Sequence, residues 1–139
     1  MLNLDEQNLI SATDWLVRQD VSLAKVVDKY GYPPLWAREH GFSSLVHIIL
    51  EQQVSLESAK AAFNRLQAFI SEVSPLHFLS IKDEDLLRIG FSRQKRMYVR
   101  GLAEAILNAE FMLETLPHLS DQQVKEELKR LKGIGDWTA

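Results

Sequence analysis

Residues 131–139 read Leu-Lys-Gly-Ile-Gly-Asp-Trp-Thr-Ala and follow a segment with helical periodicity. Gly133 and Gly135 flank one aliphatic residue, Ile134, which can anchor a turn in the core. Glycine lets the backbone adopt positive φ and approach another molecule without a Cβ in the way. The amides after such a turn point outward at a helix N-terminus, where an anion is favoured. The pattern therefore indicates a phosphate grip or, alternatively, a C-cap with a tight connection.

A helix leads into this turn. Ser120 is followed three residues later by Gln123, which is the spacing of a capping box. The predicted helix runs to Arg130 and buries Val124 and Leu128 by their spacing. Other short helical segments with polar caps or glycine stops fill the chain, and no alternating apolar and polar stretch indicates a strand. The sequence predicts an all-α, multi-helix bundle.

A nearly all-apolar helix is predicted after Ser43, which can cap it. Its polarity then changes abruptly at Glu51-Gln52-Gln53. A buried helix ending in two amides puts hydrogen-bonding groups at the mouth of the core. Because a glutamine amide both donates and accepts, it suits contact with base edges or an emptied position in a base stack. The alternative interpretation is a solvated helix end.

The composition is that of one globular domain. The chain has 139 residues, of which 46% are hydrophobic and 25% are charged. It has no cysteine, which excludes disulfides and thiolate metal sites, and its four histidines are scattered. No apolar run is long enough to span a bilayer and no signal peptide opens the chain, so a cytoplasmic protein is expected. The net charge of −3 means that any DNA binding relies on a local basic patch and on backbone amides.

One basic patch is visible between residues 86 and 103. This segment carries five cations and no acid; the cations are Arg88, Arg93, Lys95, Arg96 and Arg100. They form either a DNA-facing patch or a solvated helix face. Separately, Trp36 lies close to Arg38 in a loop and is a candidate pocket residue, although such a tryptophan more often simply packs.

Three motifs carry a resemblance to a known family. Residues 131–139 resemble the helix-hairpin-helix of the DNA glycosylase superfamily. Residues 48–55 (Ile-Ile-Leu-Glu-Gln-Gln-Val-Ser) and 90–95 (Gly-Phe-Ser-Arg-Gln-Lys) are similar to its 3-methyladenine DNA glycosylase II-like branch. The motifs follow the family's order, and the resemblance extends from about Tyr30 to Ala139.

The resemblance implies roles for particular residues. Gln53 takes the position of the wedge that fills the gap left by a flipped nucleotide, and Gln52 supports it. Lys95 belongs to a recurrent motif of the family, and from composition Arg93, Lys95 and Arg96 are the candidate basic patch for DNA. Backbone carbonyls near Leu131 and Ile134 are expected to bind a monovalent cation, and no other cofactor is expected. The predicted phosphate-binding residues are Gly133, Ile134, Gly135, Trp137 and Thr138.

The implied activity is hydrolysis of the N-glycosidic bond of alkylated bases such as 3-methyladenine, by base flipping. Trp137 stands where bifunctional branches hold a lysine nucleophile, and an indole cannot form a Schiff base, so a monofunctional enzyme is expected. The expected partner is double-stranded DNA with an alkylated base, bound by a monomer in the bacterial cytosol or nucleoid. Alternatives are a non-catalytic helix-hairpin-helix DNA-binding module and a helical interaction domain with a chance Gly-Ile-Gly.

One family feature is missing. The family's catalytic aspartate follows the second hairpin helix, and residues 1–139 end before that position. No carboxylate matches its motif, so no catalytic residue is assigned. We therefore expect residues 1–139 to be a single, C-terminally incomplete glycosylase domain. In this interpretation the helix-hairpin-helix begins at about residue 120 and is cut at 139, and the chain as given is inactive.

Overall fold

The computed structural model describes residues 4–139, and within them it contains eight α-helices, one 3-10 helix and no strand. The all-α prediction is confirmed. No helix among these residues has both the length and the apolar character needed to cross a bilayer. The helices are α1 (Glu6–Gln19), α2 (Val21–Tyr30), α3 (Phe42–Glu51), α4 (Leu56–Phe69), α5 (Pro75–Ser80), α6 (Asp83–Ile89), α7 (Arg93–Leu107), the 3-10 helix (Leu113–His118) and α8 (Asp121–Lys129).

The chain divides into two compact units, the first ending at Arg38 and the second covering Glu39–Ala139. The first unit is the α1–α2 pair. Asp20 caps α2 by accepting hydrogen bonds from the amides of its first turn. The Tyr32 hydroxyl donates a 2.6 Å hydrogen bond to Asp14, which ties the segment after α2 to α1 and raises the pKa of the phenol. The prediction of a single domain over residues 1–139 stays a prediction.

The second unit has a hydrophobic core centred on α3. Val46, Ile49 and Leu50 of this helix are almost completely inaccessible to solvent. Burying each such side chain stabilises the fold by about 1.5–3 kcal/mol relative to leaving it exposed. Leu131 and Ile134, from the turn after α8, belong to the same buried cluster. The turn is therefore part of the core and holds a fixed position against α3.

Serine caps set where most helices of the second unit begin. Ser92 and Ser120 accept hydrogen bonds from the third amide of α7 and α8, and the predicted capping box with Gln123 is confirmed. The predicted cap at Ser43 is wrong, because α3 begins two residues earlier than predicted, with Gly41 at the N-cap and Ser43 in the first turn. Including Phe42 in the helix buries its ring in the core, which outweighs a polar cap one residue later.

Candidate nucleic-acid interface

The turn after α8 is anchored by its two aliphatic residues. Leu131 and Ile134 are 9% and 7% exposed, and the Ile134 amide donates to the Leu131 carbonyl at 3.1 Å. Gly133, between them, has a φ of +94°, in the left-handed region that favours glycine. The aliphatic residue between two glycines therefore does form a turn, whose backbone is anchored to the core by Leu131 and Ile134.

The two glycines of the turn have different structural reasons. A Cβ on Gly133 would lie 2.3 Å from the Tyr98 ring, so both its φ and its packing require glycine. A Cβ on Gly135 would meet no heavy atom within 4 Å, and the φ of Gly135 is outside the left-handed region. Nothing inside the described structure requires glycine at position 135. Its missing side chain leaves the outer face of the turn open to another molecule.

The chain begins a helical turn at Gly135. Its carbonyl accepts hydrogen bonds from the amides of Thr138 at 3.1 Å and Ala139 at 3.0 Å. Within residues 4–139, the amides of Gly135, Asp136 and Trp137 have no protein acceptor. All three residues are exposed, and Trp137 is 99% exposed, so this stretch of backbone is accessible to solvent. Three adjacent N–H donors at the start of a helical turn are a suitable site for a phosphate oxygen.

The carboxylate in this turn is neutralised by α8. Asp136 accepts from the Lys129 ammonium at 2.8 Å and lies 3.3 Å from that of Lys125. These two lysines hold the pKa of Asp136 below its usual range, Lys129 having the larger effect. An unpaired carboxylate beside the outward amides would repel an anion. The two lysines, four residues apart on α8, remove that repulsion and add positive charge.

The turn after α3 is joined to the hairpin turn by Gln52. Its side-chain amide donates to the Gly133 carbonyl at 2.8 Å and lies 3.4 Å from the Thr138 hydroxyl. Gln53, the next residue, is exposed and has a φ of 60°, a conformation that non-glycine residues rarely adopt. The structure thus joins Gln52 to the hairpin and leaves the next residue, Gln53, exposed to solvent.

Two cations of the basic patch donate hydrogen bonds to backbone carbonyls, and a third is exposed to solvent. The Lys95 ammonium donates to the Leu50 carbonyl at 2.6 Å, supplying a cation to the last turn of α3, which has none of its own. Burial lowers the pKa of Lys95. Arg96 donates to the Phe91 carbonyl at 3.2 Å and is half-buried. Arg93 is exposed, with no ion pair to any residue of the described part of the chain.

Two other predicted sites lie apart from this geometry. Trp36 belongs to the first unit and is 86% exposed, and its role in a pocket stays a prediction. At the predicted cation site, the Leu131 carbonyl accepts the Ile134 amide and retains one lone pair. No cluster of His, Asp or Glu side chains in residues 4–139 suits a metal ion. Sequence reasoning missed the pairing of Lys125 and Lys129 with Asp136, although the four-residue spacing of these lysines was a visible signal.

The chain belongs to the HhH-GPD superfamily of base excision DNA repair proteins, whose model matches residues 46–139. This range contains the turn after α3, the basic helix α7 and the hairpin turn. The chain is similar to DNA-3-methyladenine glycosylase 1 of Schizosaccharomyces pombe, with 27% identity over 120 residues, covering 84% of this chain and 53% of that protein.

Solved structures give the same family. The crystal structure of a DNA-3-methyladenine glycosidase from Bacillus halodurans superposes with a TM-score of 0.73 at 31% identity, covering 88% of this chain and 57% of that one. A Schizosaccharomyces pombe 3-methyladenine DNA glycosylase in complex with abasic DNA gives a TM-score of 0.72 at 26% identity, over 86% of this chain and 61% of that one. The chain spans about half the length of the curated relatives it matches.

Proposed function

We propose that the protein is a monofunctional DNA glycosylase of base excision repair that hydrolyses the N-glycosidic bond of alkylated bases such as 3-methyladenine. The observation that carries the proposal is the 2.8 Å hydrogen bond from Gln52 to the Gly133 carbonyl. It holds Gln52, the neighbour of the exposed Gln53, against the turn whose amides have no protein acceptor. A glycosylase has to hold the DNA backbone while it takes a base out of the stack. This hydrogen bond holds the hairpin turn at a fixed distance from the segment that carries Gln53.

In the proposed mechanism the hairpin binds the backbone and Gln53 enters the duplex. The amides of Gly135, Asp136 and Trp137 donate to phosphate oxygens, and the cost of unstacking, about a few kcal/mol, is offset by such contacts. The Gln53 amide fills the vacated position and can donate to or accept from the opposite base. Its backbone has a φ of 60° and its side chain is exposed to solvent, where it is accessible to a duplex.

Trp137 supports hydrolysis without strand cleavage. A bifunctional enzyme needs an amine that attacks the sugar, and an indole offers none. Water is then the group that replaces the base, leaving an abasic site and a free base. A base alkylated on a ring nitrogen carries positive charge, which makes it a good leaving group and attracts it to aromatic faces. We assign no residue among 4–139 to the catalytic carboxylate.

The Leu131 and Ile134 carbonyls are neutral oxygen donors of the kind that ligate a monovalent cation, which would hold the turn rigid near the phosphate. We propose double-stranded DNA with an alkylated base as the partner, a monomeric protein, and a bacterial cytosolic or nucleoid location. The abasic duplex bound by the Schizosaccharomyces pombe relative is the product of such a reaction.

The test measures release of free base from methylated DNA, together with binding to a duplex that contains a tetrahydrofuran abasic site. For residues 1–139 the proposal expects tighter binding to the abasic duplex than to an undamaged one, no released base and no covalent protein–DNA adduct on borohydride treatment. For a protein that also carries the catalytic carboxylate it expects release of 3-methyladenine. Binding to both duplexes with equal affinity would instead support the non-catalytic DNA-binding module. No DNA binding at all would overturn both and favour a helical interaction domain.

A further inference from the structure

The exposed side of α7 and the residue before the hairpin glycine share an open cleft of about 500 Å³. Four cations and two carboxylates line it, so the cleft is positive although the chain as a whole carries a charge of −3. The α7 residues lie three or four positions apart and therefore form one face of the helix. The charged lining residues are Asp83, Arg93, Arg96, Arg100, Glu104 and Lys132.

Two of these cations are fixed and two are available. Arg100 donates to the Ile81 carbonyl at 2.7 Å and to the Asp83 carboxylate at 2.9 Å. Arg96 is 4.0 Å from the same carboxylate, so Asp83 is shared between two guanidinium groups. Arg93 and Lys132 are exposed and form no ion pair with any residue of the described part of the chain. The cleft thus has a pre-organised positive wall and two unpaired cations at its surface.

Gly101 provides an independent observation. It lies in the middle of α7 and lines the cleft. A glycine in a helix interior is less favourable than an alanine. Its φ is not positive, and a Cβ would meet no heavy atom within 4 Å, so neither backbone nor packing requires glycine at this position. Because Gly101 has no side chain, the cleft is deeper at this position and a bulky ligand can approach the backbone of α7.

We propose that this cleft binds a second phosphodiester of the DNA, distinct from the one held by the hairpin amides, through Arg93 and Lys132. Lys132 directly precedes Gly133, so the cleft adjoins the hairpin and one DNA strand can reach both. This inference rests on the proposed DNA binding and extends it with a second contact point. The two contact points together would fix the angle at which the duplex crosses the protein, which a single phosphate contact cannot do.

The test replaces single phosphates with uncharged methylphosphonates along an abasic duplex and measures affinity at each position. The wild-type protein is expected to lose affinity at two separate positions. In Arg93→Ala and Lys132→Ala, the phosphate bound by the cleft should no longer matter, whereas neutralising the phosphate bound by the hairpin should still weaken binding. In Gly135→Ala, only the phosphate bound by the cleft should still matter. Each cation variant should bind about fivefold more weakly and reduce the salt slope by about 0.9. Lys60→Ala, which removes an exposed lysine of α4 outside the cleft, is the matched control.

Two more variants separate binding from folding. Gly101→Ala is expected to raise the melting temperature by about 4 °C and yet weaken DNA binding, a combination that misfolding cannot produce. Glu104→Gln removes a carboxylate from the cleft and should strengthen binding. An unchanged methylphosphonate map in Arg93→Ala and Lys132→Ala, with DNA binding intact, overturns the second contact alone. If millimolar inorganic phosphate binds the wild-type protein but not Lys132→Ala, and both bind DNA with the same affinity, the cleft is a site for free phosphate. That outcome also overturns the second DNA contact. Loss of all DNA binding in the wild-type protein overturns the proposed function as well.

Discussion

The side-chain amide of Gln52 donates a 2.8 Å hydrogen bond to the backbone carbonyl of Gly133, 81 residues later in the chain. The bond closes the gap between the end of α3 and the hairpin turn, and it is partly buried. Because Gly133 is also packed against the Tyr98 ring, the carbonyl cannot readily turn to find another donor. Gln52 therefore adds a direct polar contact to the apolar burial of Leu131 and Ile134 that already holds the hairpin against α3.

Replacing Gln52 tests that contact. Gln52→Ala leaves the Gly133 carbonyl without its donor and should lower the free energy of unfolding by about 1 kcal/mol. Gln52→Glu puts a carboxylate against a carbonyl oxygen, so it should be more destabilising at neutral pH. The pKa of that introduced carboxyl is raised in the folded state, so stability returns as the pH falls toward the unfolded pKa of about 4.3. Urea denaturation at pH 7 and pH 4 measures both, and equal stability of the two variants at both pH values would contradict the contact.

Gln53 has a strained backbone conformation, with a φ of 60°. Gln53→Gly should raise the free energy of unfolding by about 1 kcal/mol, because glycine adopts a φ of 60° without a Cβ clash. The same change removes the wedge, so affinity for an abasic duplex should fall about tenfold, which corresponds to about 1.4 kcal/mol. Gln53→Ala is the control that removes the wedge without relieving the strain. If the glycine variant is more stable and binds the abasic duplex normally, the wedge role is wrong.

The two hairpin glycines should behave in opposite ways. Gly133→Ala should destabilise the fold by about 3 kcal/mol, since it combines left-handed strain with a Cβ at 2.3 Å from the Tyr98 ring. Gly135→Ala should leave the melting temperature nearly unchanged, because its Cβ meets no protein atom, while reducing DNA affinity. Thermal unfolding and anisotropy binding on both variants measure the difference. Partial rescue of Gly133→Ala by Tyr98→Ala would confirm that the ring is the obstacle.

Asp136 should titrate below the normal range for an aspartate. Its lowered pKa means that the ion pairs stabilise the fold above the unfolded pKa of about 3.9 and that this contribution is lost as the pH falls through the lower folded value. Lys129→Met should raise the pKa of Asp136 more than Lys125→Met, because Lys129 makes the stronger contact. Carboxyl carbon NMR shifts followed from pH 6 to pH 2 measure this order. The reverse order would mean that the hairpin carboxylate points at the other lysine.

Local features of the fold could be predicted from the sequence because they depend on neighbouring residues. The capping box at Ser120 and the aliphatic anchor Ile134 are both set within a few positions, and the structure has both. The cap at Ser43 was mispredicted because the choice of first residue depended on the distant packing of Phe42 against Phe78. A polar cap residue alone does not say whether the position before it will be buried.

Long-range contacts to the backbone were beyond such reasoning. Lys95 looked like a member of a solvated or DNA-facing patch, yet its ammonium binds the Leu50 carbonyl. Every residue has a carbonyl, so an acceptor of this kind leaves no mark in the sequence. The same holds for Gln52 and Gly133. The family resemblance indicated that both glutamines matter, but only the structure shows that one contacts the hairpin and the other is exposed to solvent.

The placement of Leu131 and Ile134 in the same core as Val46 has a consequence for how the protein is made. As the chain leaves the ribosome, α3 emerges long before Leu131 and Ile134, which belong to the same buried cluster. The part of the core that these two residues complete stays open until translation reaches the hairpin, and contacts of such wide sequence separation form slowly. A nascent chain paused before residue 131 would therefore be a natural client for chaperones.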